Sequence, residues 1–238
     1  SEKVRVSERL GDPSAPKSVS LIAIHQHKIP NIFPEDVLLQ SKKASFLQNK
    51  KWDDYSHLPF VTIDPKDARD HDDACYAKPD DDPKNIGGHL IWVAIADVAH
   101  FVRSGDAIDN EARHRGNSTY FPDRVVPMLP DNLSGNLCSL HEGEKRACIV
   151  VKIKIDSVGN KISHKFTRAV IQSWASLEYG EVQEVIDKGK GKPKVLDLVN
   201  TVIKPLYDAY SCLKISRKAR SPLDLNLPER KIEIDEKG

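Results

Sequence analysis

The sequence predicts an α+β fold: a mixed, mainly antiparallel β-sheet flanked by helices. Short apolar or alternating runs recur from Leu58 to Trp174, and two long alternating stretches meet at a five-residue turn. Helix-forming stretches lie apart from these runs, before and after them.

Residues 1–57 read as a linker that enters a domain. Pro13, Pro16, Pro30 and Pro34 punctuate them, and one short helix is expected at Pro34–Lys43, started by Pro34-Glu35-Asp36. From Leu58 the pattern turns to β. Phe60–Ile63 and Ala74–Ala77 are short strands, and His89–Ala96 (HLIWVAIA) is apolar enough for a buried central strand. Pro79–Pro83 is a solvated loop between the second and third. Asp106–Arg115 predicts a helix closed by Gly116, and Ser118–Pro130 is Pro-punctuated extended chain. Ala147–Ile155 and Ile162–Trp174, joined by Asp156–Asn160, form a hairpin. Leu177–Asp187 predicts a helix, Lys188–Lys194 a flexible basic loop, and Leu196 to Leu213 a longer helix kinked at Pro205.

With 238 residues, 39% of them hydrophobic, the chain can bury a core. No run approaches the ~20 apolar residues of a membrane span, and the first twenty residues lack the apolar stretch of an export signal. The chain is therefore expected to be soluble and monomeric. It begins at Ser1, and its one methionine is Met128, which suggests a piece of a longer protein. Cys75, Cys138, Cys148 and Cys212 are scattered, with no zinc-ligand spacing. They read as free thiols in a reducing cytoplasm.

The net charge of +1, from 36 basic and 35 acidic residues, hides an uneven distribution. Residues 59–110 carry 5 basic and 11 acidic side chains, and every acid among them is Asp. On a merely solvated face Asp and Glu serve equally well. Asp alone points to short, stiff carboxylates.

The densest stretch is TIDPKDARDHDDA, which holds Asp64, Asp67, Asp70, Asp72 and Asp73 within ten residues. Two carboxylates ~4 Å apart repel by ~4 kcal/mol at an effective dielectric of 20, so several that converge call for cations. Asp64 ends one apolar strand, Pro65 stops it, and Asp72-Asp73 opens the next, which aims the carboxylates at one place. Hard oxygen ligands suit Mg²⁺, with Mn²⁺ as the alternative. A solvated acidic loop is the competing reading, and the apolar flanks argue against it. An EF-hand loop requires a glycine that the segment lacks. A DxD phosphatase nucleophile at Asp70–Asp72 would need an apolar strand before it, where Asp67-Ala68-Arg69 stands. A multi-aspartate magnesium site is the usual apparatus of phosphodiester cleavage, and the basic flanks would supply phosphate contacts.

Four phrases in order, LPFVTIDPKDARDHDDA, HLIWVAIADVAHFV, RGNSTYFPDRVVPMLPDNLSGNLCSL and SPLDLNLPERKIEIDEKG, resemble the catalytic domain of the ribonuclease II/ribonuclease R (RNB) family of 3′→5′ exoribonucleases. The spelling is nearer the ribonuclease R branch. The likeness covers residues 58–238, taken as the N-terminal part of an RNB-type catalytic domain, and extends loosely upstream through SLIAIHQHKIPNIFPEDVL, which implies that residues 1–57 are a linker or the end of an upstream RNA-binding region of OB type.

The resemblance implies that Asp64, Asp70, Asp72 and Asp73 are the metal ligands, with Asp70 and Asp72 foremost in catalysis and Asp67 a bystander. It implies Mg²⁺-dependent hydrolysis of single-stranded RNA to nucleoside 5′-monophosphates. Tyr120 matches the family tyrosine that stacks on the terminal base, and Tyr179 a second that contacts RNA. Trp92 and Phe101 read as core, and His100 as structural rather than as an acid–base partner of Asp97. Arg217, Lys218 and Arg220 would contact the RNA backbone or favour a helix C-terminus. The family's domain continues past the equivalent of Gly238 to an arginine motif that holds the scissile phosphate, so these residues alone are not expected to hydrolyse RNA. A non-catalytic RNA-binding module on the same fold is the alternative from another class.

Overall fold

The computed structural model describes residues 16–46, 51–66, 68 and 70–223. Asp67 and the closing phrase from residue 224 lie outside the described residues. In chain order the elements begin with α1 (Pro16–Gln26), α2 (Glu35–Lys43), β1 (Asp53–Asp54), β2 (Val61–Asp64), β3 (Asp73–Pro79) and β4 (His89–Ala96). There follow α3 (Val98–Phe101), α4 (Ala107–Arg115), β5 (Thr119–Tyr120), β6 (Val125–Val126), β7 (Lys145–Ile155) and β8 (Lys161–Gln172). The described chain closes with β9 (Ala175–Glu178), α5 (Tyr179–Lys188), α6 (Pro193–Asp197) and α7 (Lys204–Ala219).

These elements form two compact units. The larger takes its described residues from 44–102 and 131–223, the smaller from 16–43 and 103–130. The larger holds a seven-stranded sheet in the order β1-β8-β7-β4-β3-β2-β9. Its inner pairings, β2 with β3, β3 with β4, β4 with β7 and β7 with β8, are antiparallel. The edge strands β1 and β9 pair in parallel with their neighbours. This is the mixed, mainly antiparallel sheet that the alternation predicts. HLIWVAIA takes the central position, and Ile91, Trp92 and Ala94 are buried on its two faces.

Two apolar clusters hold helices to the sheet. Val61, Ala175 and Leu177 from β2 and β9 meet Val185 of α5, Val195 of α6, and Val202 and Ile203. Ala77, Ile91 and Ile155 from β3, β4 and β7 meet Ala209 of α7. The β7–β8 turn is built on Asp156, whose Oδ1 accepts the amides of Val158 and Asn160. Gly159 follows at φ +82°, with the backbone of α7 so near that a Cβ would lie 2.1 Å from the Cys212 carbonyl oxygen. Only glycine fits both constraints.

In the smaller unit α2 and α4 pack together through Gln40, which donates to Asp106 and accepts the Ile108 amide. Asp106 caps α4 by accepting the Asp109 amide at 2.8 Å, and Gly116 closes it at φ +78°, as expected from the sequence. Arg115 lies over the Phe33 ring at 3.6 Å.

Three expectations need correction. Pro16–Gln26 is helical where irregular chain was expected; its proline stands at the first helical position, where no amide bond is lost. Leu177 and Glu178 are strand, because they pair in parallel with Ile63 and Asp64, so α5 starts only at Tyr179. The long helix from Leu196 is broken into α6, a π-helical turn at Val199–Ile203, and α7. Pro205 then falls in the first turn of α7, where it starts a helix instead of kinking one.

Candidate functional site

The strand boundaries place the aspartates. β2 ends at Asp64, β3 begins at Asp73, and the two strands are antiparallel neighbours, so the stretch between them leaves and re-enters one end of the sheet. Three backbone bonds fasten the return. The Ser139 hydroxyl accepts the His71 amide at 2.9 Å, the His71 carbonyl accepts the Leu140 amide at 2.8 Å, and the Asp72 carbonyl accepts the Ala96 amide at 2.9 Å. The His71 ring then reaches Asp64, with Nδ1 at 2.7 Å from Oδ2. An ionised carboxylate can only accept, so the imidazole donates.

Electrostatics show that the four carboxylates share one neighbourhood. Asp72 is pushed above the ordinary carboxylate range first by partial burial, then by the charges of Asp70, Asp73 and Asp64, with His71 opposing. Asp73 is raised by burial and by Asp64. Among the described residues no three His, Cys, Asp or Glu side chains stand close enough together to hold a metal ion. The donor set nonetheless fits a hard divalent ion, since Mg²⁺ keeps several waters and uses one or two carboxylates with substrate phosphate. Repelling oxygens on one strand end gain most from such a cation.

The structure adds neighbours that sequence reading passed over. Glu178 stands opposite Asp64 in the parallel β2–β9 register, which brings Tyr179 to the same end of the sheet. Tyr179 opens α5 and is 59% exposed. Tyr120 is 67% exposed on β5 of the smaller unit. Parallel pairing joins strands far apart in sequence, so local pattern gave no signal for Glu178.

Asp97, just after β4, is buried, and Arg168 of β8 holds it with Nε 2.9 Å from Oδ2. That approach is too oblique for a hydrogen bond, so Oδ2 has no donor; Nη2 reaches Oδ1 at 3.4 Å. His100 packs edge-on against Trp52 and Phe101, at 4.9 and 4.8 Å between ring centres, as a structural histidine does. Trp92 is core; Phe101 is half-buried. Arg217 and Lys218 occupy the last turn of α7, the place where cations complement the helix dipole. The four cysteines are free, and burial pushes the Cys75, Cys138 and Cys148 thiols up to about 12, which leaves them poor nucleophiles.

Comparison with known proteins places the fold. The model of the RNB domain matches residues 52–238. Ribonuclease R of Vibrio cholerae is 37% identical over 233 residues, covering 95% of this chain and 28% of the relative. The structure of Mycoplasma genitalium RNase R in complex with ribose-methylated single-stranded RNA superposes with a TM-score of 0.86 at 31% identity, over 95% of this chain and 35% of that one. A yeast pseudonuclease shares the fold alone, with a TM-score of 0.64 at 15% identity. The chain thus spans about a quarter to a third of the length of the ribonucleases it matches.

Proposed function

Because the chain belongs to the RNB domain family, we propose that it forms the metal-binding part of a hydrolytic 3′→5′ exoribonuclease that degrades single-stranded RNA to nucleoside 5′-monophosphates. The observation that carries this reading is the placement of Asp64 and Asp73 at the facing ends of β2 and β3, with Asp70 and Asp72 on the stretch between them and Asp72 held above the ordinary carboxylate range first by partial burial and then by the charges of the other three. These four would hold Mg²⁺, or Mn²⁺ in its place. When bound, the cation supplies Lewis acidity to the scissile phosphodiester.

The remaining work falls to the chain itself. The backbone bonds of His71 and Asp72 fix the return loop, so the carboxylates need not reorganise when substrate arrives. The His71 ring commits one Asp64 oxygen and leaves the other for the cation. Tyr120 and Tyr179 offer exposed rings for bases, and stacking suits an enzyme indifferent to sequence. The phosphodiester takes up water across its P–O3′ bond, which frees the terminal nucleotide with its 5′-phosphate and leaves a 3′-hydroxyl on the shortened RNA.

The test is Asp72→Asn in the full-length protein. Monophosphate release from uniformly labelled RNA should fall at least 10³-fold, roughly 4 kcal/mol in transition-state terms, while RNA affinity stays within a few-fold. Equal turnover by variant and wild type would falsify the assignment. The second reading, an RNA-binding module without hydrolysis, rests on the pseudonuclease that shares the fold. It requires RNA binding without monophosphate release at any Mg²⁺ concentration.

A further inference from the structure

Arg146 of β7 carries a buried charge: the residue is 5% exposed. Its Nε donates to the Ser139 carbonyl at 3.0 Å and to the Asn136 carbonyl at 3.2 Å, and its Nη2 donates to Asn136 Oδ1 at 3.1 Å. Among the described residues its one carboxylate partner is Glu144, which is exposed. An ion pair open to water adds little, so the buried side of the guanidinium serves Asn136 and Ser139. A planar fork reaches both residues at once, whereas a lysine ammonium is a single point on a flexible stem.

The segment that Arg146 holds is a π-helical turn, Leu133–Leu137, with the residues that follow it. Turns of this form are rare and occur most often at functional sites. This one grips His71, which stands between Asp70 and Asp72 in the chain. Ser139 Oγ accepts the His71 amide, and the Leu140 amide donates to the His71 carbonyl. The His141 ring stands edge-on to the His71 ring at 5.9 Å, and its Nε2 donates to the Gly135 carbonyl at 2.9 Å, which ties it back to the turn. Leu133, Ser139 and Leu140 are buried, so the segment is packed as well as bonded. Cys138 lies near enough to Asp72 that, after burial, this charge helps to hold its thiol at about 12. The His71 ring in turn donates to Asp64. A chain of contacts therefore runs from Arg146 through Ser139 and His71 to a carboxylate of the site.

We propose that Arg146 is a positioning residue for the cation site. By fixing Asn136 and Ser139 it sets the backbone of His71, and through His71 it sets the Asp64 carboxylate and the stretch that bears Asp70 and Asp72. Its burial keeps it from RNA, so it acts through the segment alone. That the site binds a cation rests on the proposed function; the hold of Arg146 on His71 does not.

The experiment compares wild type, Arg146→Lys, Glu144→Gln and Ile155→Val in the full-length protein, with two readouts. The first is hydrogen exchange of the His71 and Leu140 amides in EDTA, by mass spectrometry; the second is Mn²⁺ affinity without RNA, by paramagnetic resonance. In Arg146→Lys the two amides should exchange about 10-fold faster relative to those of β4, because the segment opens locally. Loss of a group that touches a metal ligand costs 10–100-fold in affinity, and Arg146 stands further out, so Mn²⁺ should bind about 3–10-fold more weakly. Glu144→Gln removes a partner of the same guanidinium that lies off the route, and should match wild type in both readouts. Ile155→Val thins the core roughly 20 Å along β7 from Ile149, the residue level with Asp73, at ~3.4 Å per residue. It lowers stability and should leave Mn²⁺ affinity at the wild-type value. Should Arg146→Lys fail to fold, Asn136→Ala removes one acceptor with the guanidinium in place, and the same weakening is expected. Unchanged exchange or unchanged Mn²⁺ affinity would overturn the proposal, as would an equal loss of affinity in Ile155→Val. If the wild type binds no Mn²⁺, the metal reading fails while the exchange comparison still decides whether Arg146 fixes His71.

Discussion

Nδ1 of His71 lies 2.7 Å from Oδ2 of Asp64, which makes a residue inside the aspartate run the hydrogen-bond donor to the carboxylate that opens it. The same histidine is held through its backbone by Ser139 and Leu140, so the ring has little freedom to turn away. Outer partners of this kind orient metal ligands, and their loss typically weakens metal binding 10–100-fold. His71→Phe should therefore bind Mn²⁺ about 10–100-fold more weakly than wild type, read by paramagnetic resonance without RNA. His71→Asn, which can still donate, should recover part of that loss.

The aspartate site was legible because its signal is local. Asp64 and Asp73 are separated by a short run, Pro65 marks the strand end, and apolar strands flank both. His71 was visible as a letter but not as a partner, since its role depends on how the return loop folds back on Asp64. The β9–α5 boundary was misread for the same reason. Leu177 and Glu178 have no strand pattern of their own and become strand only by pairing with Ile63 and Asp64. The smaller unit joins two segments with four strands of the larger one between them, and no periodicity announces such an assembly.

Asp72 and Asp73 should make the metal-free protein respond to pH in an unusual direction. Both are raised above 3.8 in the folded state, so between that value and the raised one the folded chain binds more protons than the unfolded chain. Their contribution to stability is therefore gained as pH falls through that window and lost as pH rises. Both residues, though partly buried, stay more than a third exposed, and screening limits the effect to about 0.5 kcal/mol or less for each. Asp72→Asn in EDTA at pH 7 should melt about 1–2 °C above wild type, and the difference should vanish near pH 4. Millimolar Mg²⁺ should raise the wild-type melting temperature more than that of the variant.

Arg168 is 47% exposed at its side chain, but the Asp97 carboxylate that it covers is 2% exposed. Removing the guanidinium strands a buried charge that has few other partners. Arg168→Met should cost about 2–3 kcal/mol, below the 3–5 kcal/mol of a fully buried pair because water can replace part of the arginine. Asp97→Asn in the same background should restore some of that loss. The two single variants and the double variant, measured by urea unfolding, give the coupling directly. Additive effects would mean that the pair contributes nothing.

The two tyrosines assigned to RNA share a feature that separates binding from folding. Tyr120 and Tyr179 are 67% and 59% exposed, so truncation opens no cavity, and neither belongs to the two apolar clusters that hold the helices to the sheet. Tyr179→Ala and Tyr120→Ala should each leave the urea midpoint within about 0.5 kcal/mol of wild type. Stacking is worth ~1–3 kcal/mol per base, so each should weaken single-stranded RNA binding roughly 5–150-fold. The Phe variants keep the ring and should bind as wild type does. If phenylalanine fails as alanine does, the hydroxyl carries the contact and stacking is the wrong account. Should the Ala variants lose stability and binding together, the rings are structural.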